Sequence, residues 1–252
     1  MPTPFMHLYV AEQICQRPDL PDQLRGLLQE QWSAFYLGSV APDFQVISSI
    51  NREVTHFYLL PPDPDDYDAF GRMLAAYPAL SDPTVLSAEQ AVFTAAYGAH
   101  LLYDLIWDHQ ILTPCFREIE WGDRYQRYMS HNILLTYMDR LAYNELPETA
   151  GQMLSSITAD GRLPFDEEHK LAEWQSLLVD QLQPEAEIQT IQIYAQRLRM
   201  EPEEFSSRLD NEQWMYEFVF QHVSLERVAK ATATAVERSV DLLYGYLRPT
   251  FA

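Results

Sequence analysis

Apolar side chains recur along this chain with a helical period, and alternating runs of β-branched residues are scarce. The pattern predicts an all-α fold, a multi-helix bundle. A first helix is expected over about residues 4–16, with Pro4 early, where its missing N–H matters least. A second, over about 22–36, opens at Asp22 and closes before Gly38, and Ala41-Pro42-Asp43 follows as a rigid loop. Thr55-His56-Phe57 falls in an irregular stretch, and the proline- and aspartate-rich run 61–66 breaks the chain at the surface before a short helix over about 66–77. Ser87 with Gln90 makes a capping box for a strongly apolar, central helix over about 88–108. Further helices are expected over about 123–144, 148–157, 166–182, 185–199, 202–209 and 212–247, punctuated by Pro147, Pro184 and Pro202.

Residues 158–164 cluster small and turn-forming side chains and read as a linker. It separates residues 1–157, which carry the candidate chemistry, from a C-terminal helical region, 165–252, expected to pack on the first as one domain. No repeat or low-complexity tract interrupts either part.

With 252 residues, 47% of them hydrophobic and 13% aromatic, the chain can build a core without disulfides. Cys15 and Cys115 are the only cysteines and neither has a CxxC partner, which argues against a disulfide framework and fits a reduced setting. Seventeen basic residues against 37 acidic ones leave a net charge of −20. Such a surface repels polyanions at long range, so no long nucleic acid is expected as a partner and small substrates are favoured. Phosphate chemistry would then need local positive charge, for which bound metal ions are one source. Met1-Pro2-Thr3-Pro4-Phe5 has no basic region, and no stretch reaches the roughly 18–20 apolar residues of a membrane span. The expected location is cytoplasmic.

His100 and Asp104 stand four apart on the central helix, which puts both side chains on one face. Taken alone, such a pair is more often a hydrogen-bonded core histidine with a local partner than a metal grip. The setting shifts the balance. Ala95, Ala96, Gly98, Ala99, Leu101 and Leu102 surround the pair, and a buried carboxylate is costly unless it is paired or metal-bound. Asp108 and His109 extend the pattern to HxxxDxxxDH, with the dyad in the reverse order of the HD-domain phosphohydrolases.

Four segments in order, His7 in an early helix, FYLGSVAPDF with Asp43, REVTHF with His56 and YGAHLLYD with His100 and Asp104, together resemble the zinc-dependent phospholipase C family. That family is similar in turn to the secreted S1/P1-type single-strand nucleases, and the resemblance covers roughly the first 110 residues. It implies the bundle fold of those enzymes with additional C-terminal helices. It also implies that Asp43, His56, His100 and Asp104 surround one zinc, with Asp104 bridging to a second ion held by His7. In the secreted relatives the N-terminal residue helps to hold that second ion, whereas this chain opens on Met1-Pro2 without their tryptophan. A third ion would use His109 and His131 and a carboxylate four residues after His131, where Leu135 stands; Glu118 and Asp139 are nearby substitutes. One to three Zn2+ ions are implied, with two as the expectation.

The implied function is zinc-dependent hydrolysis of a phosphate ester by a metal-activated water, as in a phospholipase C-like phosphodiesterase. Asp43 is the candidate general base, Arg52 a candidate for neutralising phosphate, and a phospholipid head group a candidate substrate. Two alternatives stand beside it: a metal-binding but non-catalytic protein with a degraded third site, and a metal-free helical protein whose acidic surface binds a basic partner. His169, flanked by Glu167 and Glu168, and His222 read as structural helix residues, and the aromatic run Trp214 to Phe220 as core. Tyr103 and Trp107 read as packing residues first and pocket walls second.

Overall fold

The structure, a computed structural model, describes every residue except Glu167, Pro184, Glu185, Glu187, Ile188 and Ala252. Thirteen α-helices and no strand are present among the described residues, the all-α fold that was expected. No helix among them is long and apolar enough to cross a membrane.

Helix α6 (Ala88–Trp107) is the axis of the molecule. Seventeen of its residues, from Ala91 to Trp107, are buried, because α3 (Trp32–Val40) and α13 (Leu225–Leu247) cover it on different sides. Ser87 caps it by accepting from the Gln90 N–H. The Gln90 side chain does not reach back to complete the reciprocal box; it donates to Thr94 Oγ1 and, across the linker, to the Arg162 carbonyl at 3.0 Å. Helix α1 (Pro4–Gln16) starts at Pro4 as expected and packs on α3, α13 and α7 (Arg124–Glu145).

The expected helix over 22–36 is two helices, α2 (Asp22–Glu30) and α3, joined at Gln31, whose φ of −110° and ψ of 33° leave the helical range. Gly38 does not end α3. It lies inside it because a Cβ there would sit 2.3 Å from the Phe93 carbonyl oxygen, so the glycine sets how closely α3 approaches α6. Ala41-Pro42-Asp43 is the start of a 3₁₀ segment, Ala41–Ile47. His56 ends a short helix, α4 (Arg52–His56), capped by Asn51 and closed by Phe57 in the left-handed conformation at φ 60°. The short helix after the proline-rich run is α5 (Ala69–Ala76). Asp63 and Asp65 are exposed, while Asp66 is half-buried and holds Arg72.

After α6 the chain widens into a π-helical segment, Asp108–Arg117, with Pro114 inside it. Helices α7, α8 (Ala150–Ser155), α9 (Lys170–Gln181), α10 (Thr190–Leu198) and α11 (Pro202–Leu209) follow. Pro184, expected to punctuate the helices, and Glu167, the acidic neighbour of His169, lie outside the described residues. The single helix expected over 212–247 is interrupted. It divides into α12 (Glu212–Met215), a π turn (Tyr216–Phe220) and α13, which restarts because Ser224 caps it through the Arg227 N–H. In the aromatic run it is Met215 and Val219 that are buried; Tyr216 is exposed and Trp214 and Phe218 stack on each other half-buried.

The regions on either side of residues 158–164 share packing. Trp174 on α9 donates its indole N–H to the Val40 carbonyl at 2.9 Å, which anchors the turn that presents Asp43. Cys15 and Cys115 are both free.

Candidate metal centre

Five of the predicted side chains meet beside α6. His100 and Asp104 project from one face of that helix. His7 comes from α1, Asp43 from the 3₁₀ segment and His56 from the end of α4. His7 Nε2 is 3.5 Å and His56 Nε2 3.4 Å from the two oxygens of Asp104, while Asp43 Oδ1 is 3.6 Å from His56 Nε2 and 4.0 Å from His100 Nε2. These atoms form two overlapping triads, His7–His100–Asp104 and Asp43–His56–His100, each with its atoms within 4.8 Å of one another.

Most of these contacts are too long for good hydrogen bonds. His7 Nε2, His56 Nε2, His100 Nε2 and Asp104 Oδ1 are buried and make none. Buried polar groups are otherwise nearly always satisfied, so four orphans facing one another call for a shared partner. Two ligands each about 2.05 Å from a tetrahedral ion lie about 3.3 Å apart, which is close to the shortest observed separations. A divalent cation fits both the spacing and the imidazole–carboxylate donor set.

The surrounding bonds fix which nitrogen faces inward. His100 Nδ1 donates to the Ser39 carbonyl at 2.8 Å, leaving the Nε2 lone pair free. Thr55 Oγ1 donates to the Arg52 carbonyl and lies 2.8 Å from His56 Nδ1, so the hydroxyl accepts from that nitrogen and again frees Nε2. His7 and His100 stack face to face, with centroids 3.6 Å apart and 7° between planes. Burial pushes His100 down to about 3, with the adjacent His7 adding to the shift, and burial followed by Arg52 lowers His56. Both imidazoles are therefore neutral near pH 7, the form that ligates metal. Burial alone would raise Asp104 and Asp43. For Asp104, His7, His100 and Arg52 outweigh it and hold the carboxyl well below the usual range; for Asp43, His100 and His56 outweigh it and lower the carboxyl.

Arg52 donates to Asp104 Oδ2 at 2.6 Å and to the Tyr58 hydroxyl at 2.7 Å, and its guanidinium lies over the Tyr58 ring. Its other terminal nitrogen, Nη1, is buried without a partner. Tyr58 also donates to Asp104 Oδ2 at 3.2 Å, and burial beside that carboxylate keeps its phenol protonated. Sequence reasoning did not find Tyr58, Thr55 or Ser39. Thr55 lies inside the REVTHF segment and Tyr58 directly follows it, and that nearness to His56 was their one signal.

The remaining candidates lie elsewhere. His109 donates from Nε2 to the Asp66 carbonyl at 2.9 Å and packs edge-on against Tyr67. His131 is buried and accepts from the Trp107 indole at 3.0 Å. Asp108 is held bidentately by Arg117. Glu118 is exposed, and Asp139 takes the hydroxyls of Thr3 and Thr190 and the Phe5 N–H at the start of α1. Tyr103 and Trp107 are packed in the core. His169 and His222 flank helices rather than lying within them; His169 is exposed beside Asp160, and His222 stacks on Trp121.

A cavity of about 480 Å³ adjoins the cluster and reaches it through Asp43 and Arg52. Helices α7, α9 and α10 and the π segment supply most of its walls, so the helices after the linker help to enclose it.

An all-helical frame that gathers neutral imidazoles and carboxylates around orphaned buried atoms has the donor set of a divalent-cation site. The chain matches the family described as zinc dependent phospholipase C over residues 6–191, and it belongs to that family. The match runs past the four motifs near residue 110 to the start of α10. Neither a curated protein nor a solved structure matches the chain. Membership supports a zinc-dependent phosphoesterase, and the two triads are groups able to hold the metal.

Proposed function

We propose that the protein hydrolyses a small phosphate ester with a water activated at a zinc centre held by His7, Asp43, His56, His100 and Asp104. The observation that carries this reading is the convergence of four buried, unpartnered donor atoms from three separate helices. Bound zinc would lower the pKa of water toward neutrality and polarise a phosphoryl oxygen.

The chain's own residues divide the remaining work. Of the two carboxylates in the cluster, Asp43 is the one with measurable exposure, 14% against 1% for Asp104, and it lines the cavity. That supports Asp43 as the group that accepts a proton from the attacking water, and its lowered pKa keeps it ionised for that role. Arg52, clamped through Nη2, presents Nη1 as a preorganised donor for a phosphoryl oxygen. A phospholipid head group is the substrate class the family favours, and the apolar residues at the cavity mouth suit an attached chain. Zinc-loaded protein should turn over bis(p-nitrophenyl) phosphate, and His100→Ala should lose that activity; wild-type protein that binds zinc without turnover would overturn the catalytic reading.

A second reading, a metal-binding protein without catalysis, has one specific observation in its favour. Leu135 occupies the position expected for a third-site carboxylate, and His109 and His131 are turned to a carbonyl and an indole. Zinc binding at the two triads together with inert phosphodiesters is the outcome that selects it.

A further inference from the structure

The chain carries 17 basic residues against 37 acidic ones, yet its main cavity reverses that balance. Among the described residues five arginines line it, Arg52, Arg117, Arg124, Arg127 and Arg197, and Asp43 is the one carboxylate. Two of the five are committed. Arg117 is neutralised by Asp108 and Arg52 by Asp104. The other three pair with no carboxylate among the described residues.

Arg127 is the best prepared of these. Its Nε donates to the Phe116 carbonyl at 3.1 Å and its Nη1 to the Trp121 and Gly122 carbonyls at 3.1 and 3.0 Å, so neutral oxygens hold the guanidinium in place without cancelling its charge. Arg197 lies over the Tyr194 ring, 5.0 Å from its centroid, and Arg124 is exposed at the same cavity. Cations that line one cavity with no paired carboxylate reverse the local field, and a protein of net charge −20 draws an anion through such a patch. Along the same cavity Val46, Leu60 and Tyr128 are large apolar side chains left exposed. They offer an apolar surface beside the cationic one.

We propose that this cleft takes phosphoesters carrying a second anionic group, bound by Arg127 and Arg197 with Arg124 at the rim, and an apolar portion lying against Val46, Leu60 and Tyr128. The inference rests on the phosphoester reading of the adjoining centre and specifies its substrate class. An anionic phospholipid and a soluble bisphosphate ester share this chemistry.

Calorimetric titration of the zinc-loaded full chain with the cleaved head groups separates binding from turnover. Inositol 1,4-bisphosphate should bind roughly tenfold or more tighter than inositol 1-phosphate, since a charge-assisted pair is worth at least that factor. Arg127→Gln with Arg197→Gln should bring the two affinities together, while Arg140→Gln, an exposed arginine outside the cavity, should leave their ratio unchanged. Dihexanoyl phosphatidylinositol 4-phosphate, titrated into the hydrolysis-blocked His100→Ala variant, should bind more tightly than inositol 1,4-bisphosphate if the source is a lipid and equally if it is soluble. Equal affinity of wild-type protein for the two head groups, or an unchanged ratio in the double variant, would refute the proposal. Loss of hydrolysis alone would refute the catalytic reading and leave these affinities standing.

Discussion

Zinc should raise the unfolding temperature of the protein, and His100→Ala should remove most of that rise. The residue is chosen because it belongs to both triads, so its loss leaves each with two ligands. With free zinc at about 1,000 times Kd, binding only the native state adds about 4 kcal/mol. For 252 residues an unfolding entropy of about 2.1 cal/mol/K per residue sums to about 0.5 kcal/mol/K, so the expected shift is about 8 °C. Groups one layer removed from a metal already cost 10–100-fold in affinity when lost, so about 100-fold is a conservative figure for a direct ligand. At the same zinc concentration the variant then retains about 1.4 kcal/mol, or about 3 °C. Truncation also opens a gap beside His7 and deletes the bond to Ser39, but that cost falls on metal-free and loaded protein alike. Calorimetric scans with chelator and with zinc isolate the increment. An undiminished increment in His100→Ala, or none in the wild type, refutes the reasoning.

Other expectations follow from the same geometry. Asp43→Asn should lower kcat on bis(p-nitrophenyl) phosphate by about 10²–10⁴, the usual worth of a general base, while zinc content measured by elemental analysis stays above half of the wild-type value. Arg52→Gln should reduce kcat/KM by about 10–100-fold, and Arg52→Lys, which keeps charge but loses the fork held by Asp104 and Tyr58, should recover only part of it in the same assay. Asp139 gives a pH test away from the centre. Burial pushes it up to about 6, so the native state holds its proton more tightly than the unfolded chain, and its contribution is lost as pH rises from about 4 through 6. A shift of about two units is worth about 3 kcal/mol. Asp139→Asn should therefore stabilise the protein by up to that amount at pH 7 and change little at pH 4, as read from urea midpoints at the two pH values.

Legibility in the sequence followed how local each signal is. Helices α1, α6 and α11 were readable because a proline or a capping serine marks their start and an apolar stripe runs unbroken behind it. The place of Gly38 inside α3 was not, since it answers to the approach of α6, more than fifty residues away, and the break at Gln31 has no proline or glycine to mark it. The interruption before α13 left one local trace, Ser224 three residues ahead of Arg227, submerged in a long helical period. At the centre, His100 and Asp104 were visible as a helical pair. That His7, Asp43 and His56 join them is a matter of tertiary packing, which periodicity does not contain, and the family resemblance supplied it. No motif announces the arginine cleft, because Arg52, Arg127 and Arg197 belong to three helices that meet only in the folded chain.

The central claim is that His7, Asp43, His56, His100 and Asp104 grip divalent zinc. Anomalous X-ray scattering collected above and below the zinc edge from crystals of zinc-loaded protein tests it most directly. Difference peaks are expected within about 2.0–2.2 Å of the inward Nε2 and carboxylate atoms of the two triads. Zinc peaks confined to surface histidines such as His169, with the three Nε2 atoms hydrogen-bonded to one another or to water, would contradict it.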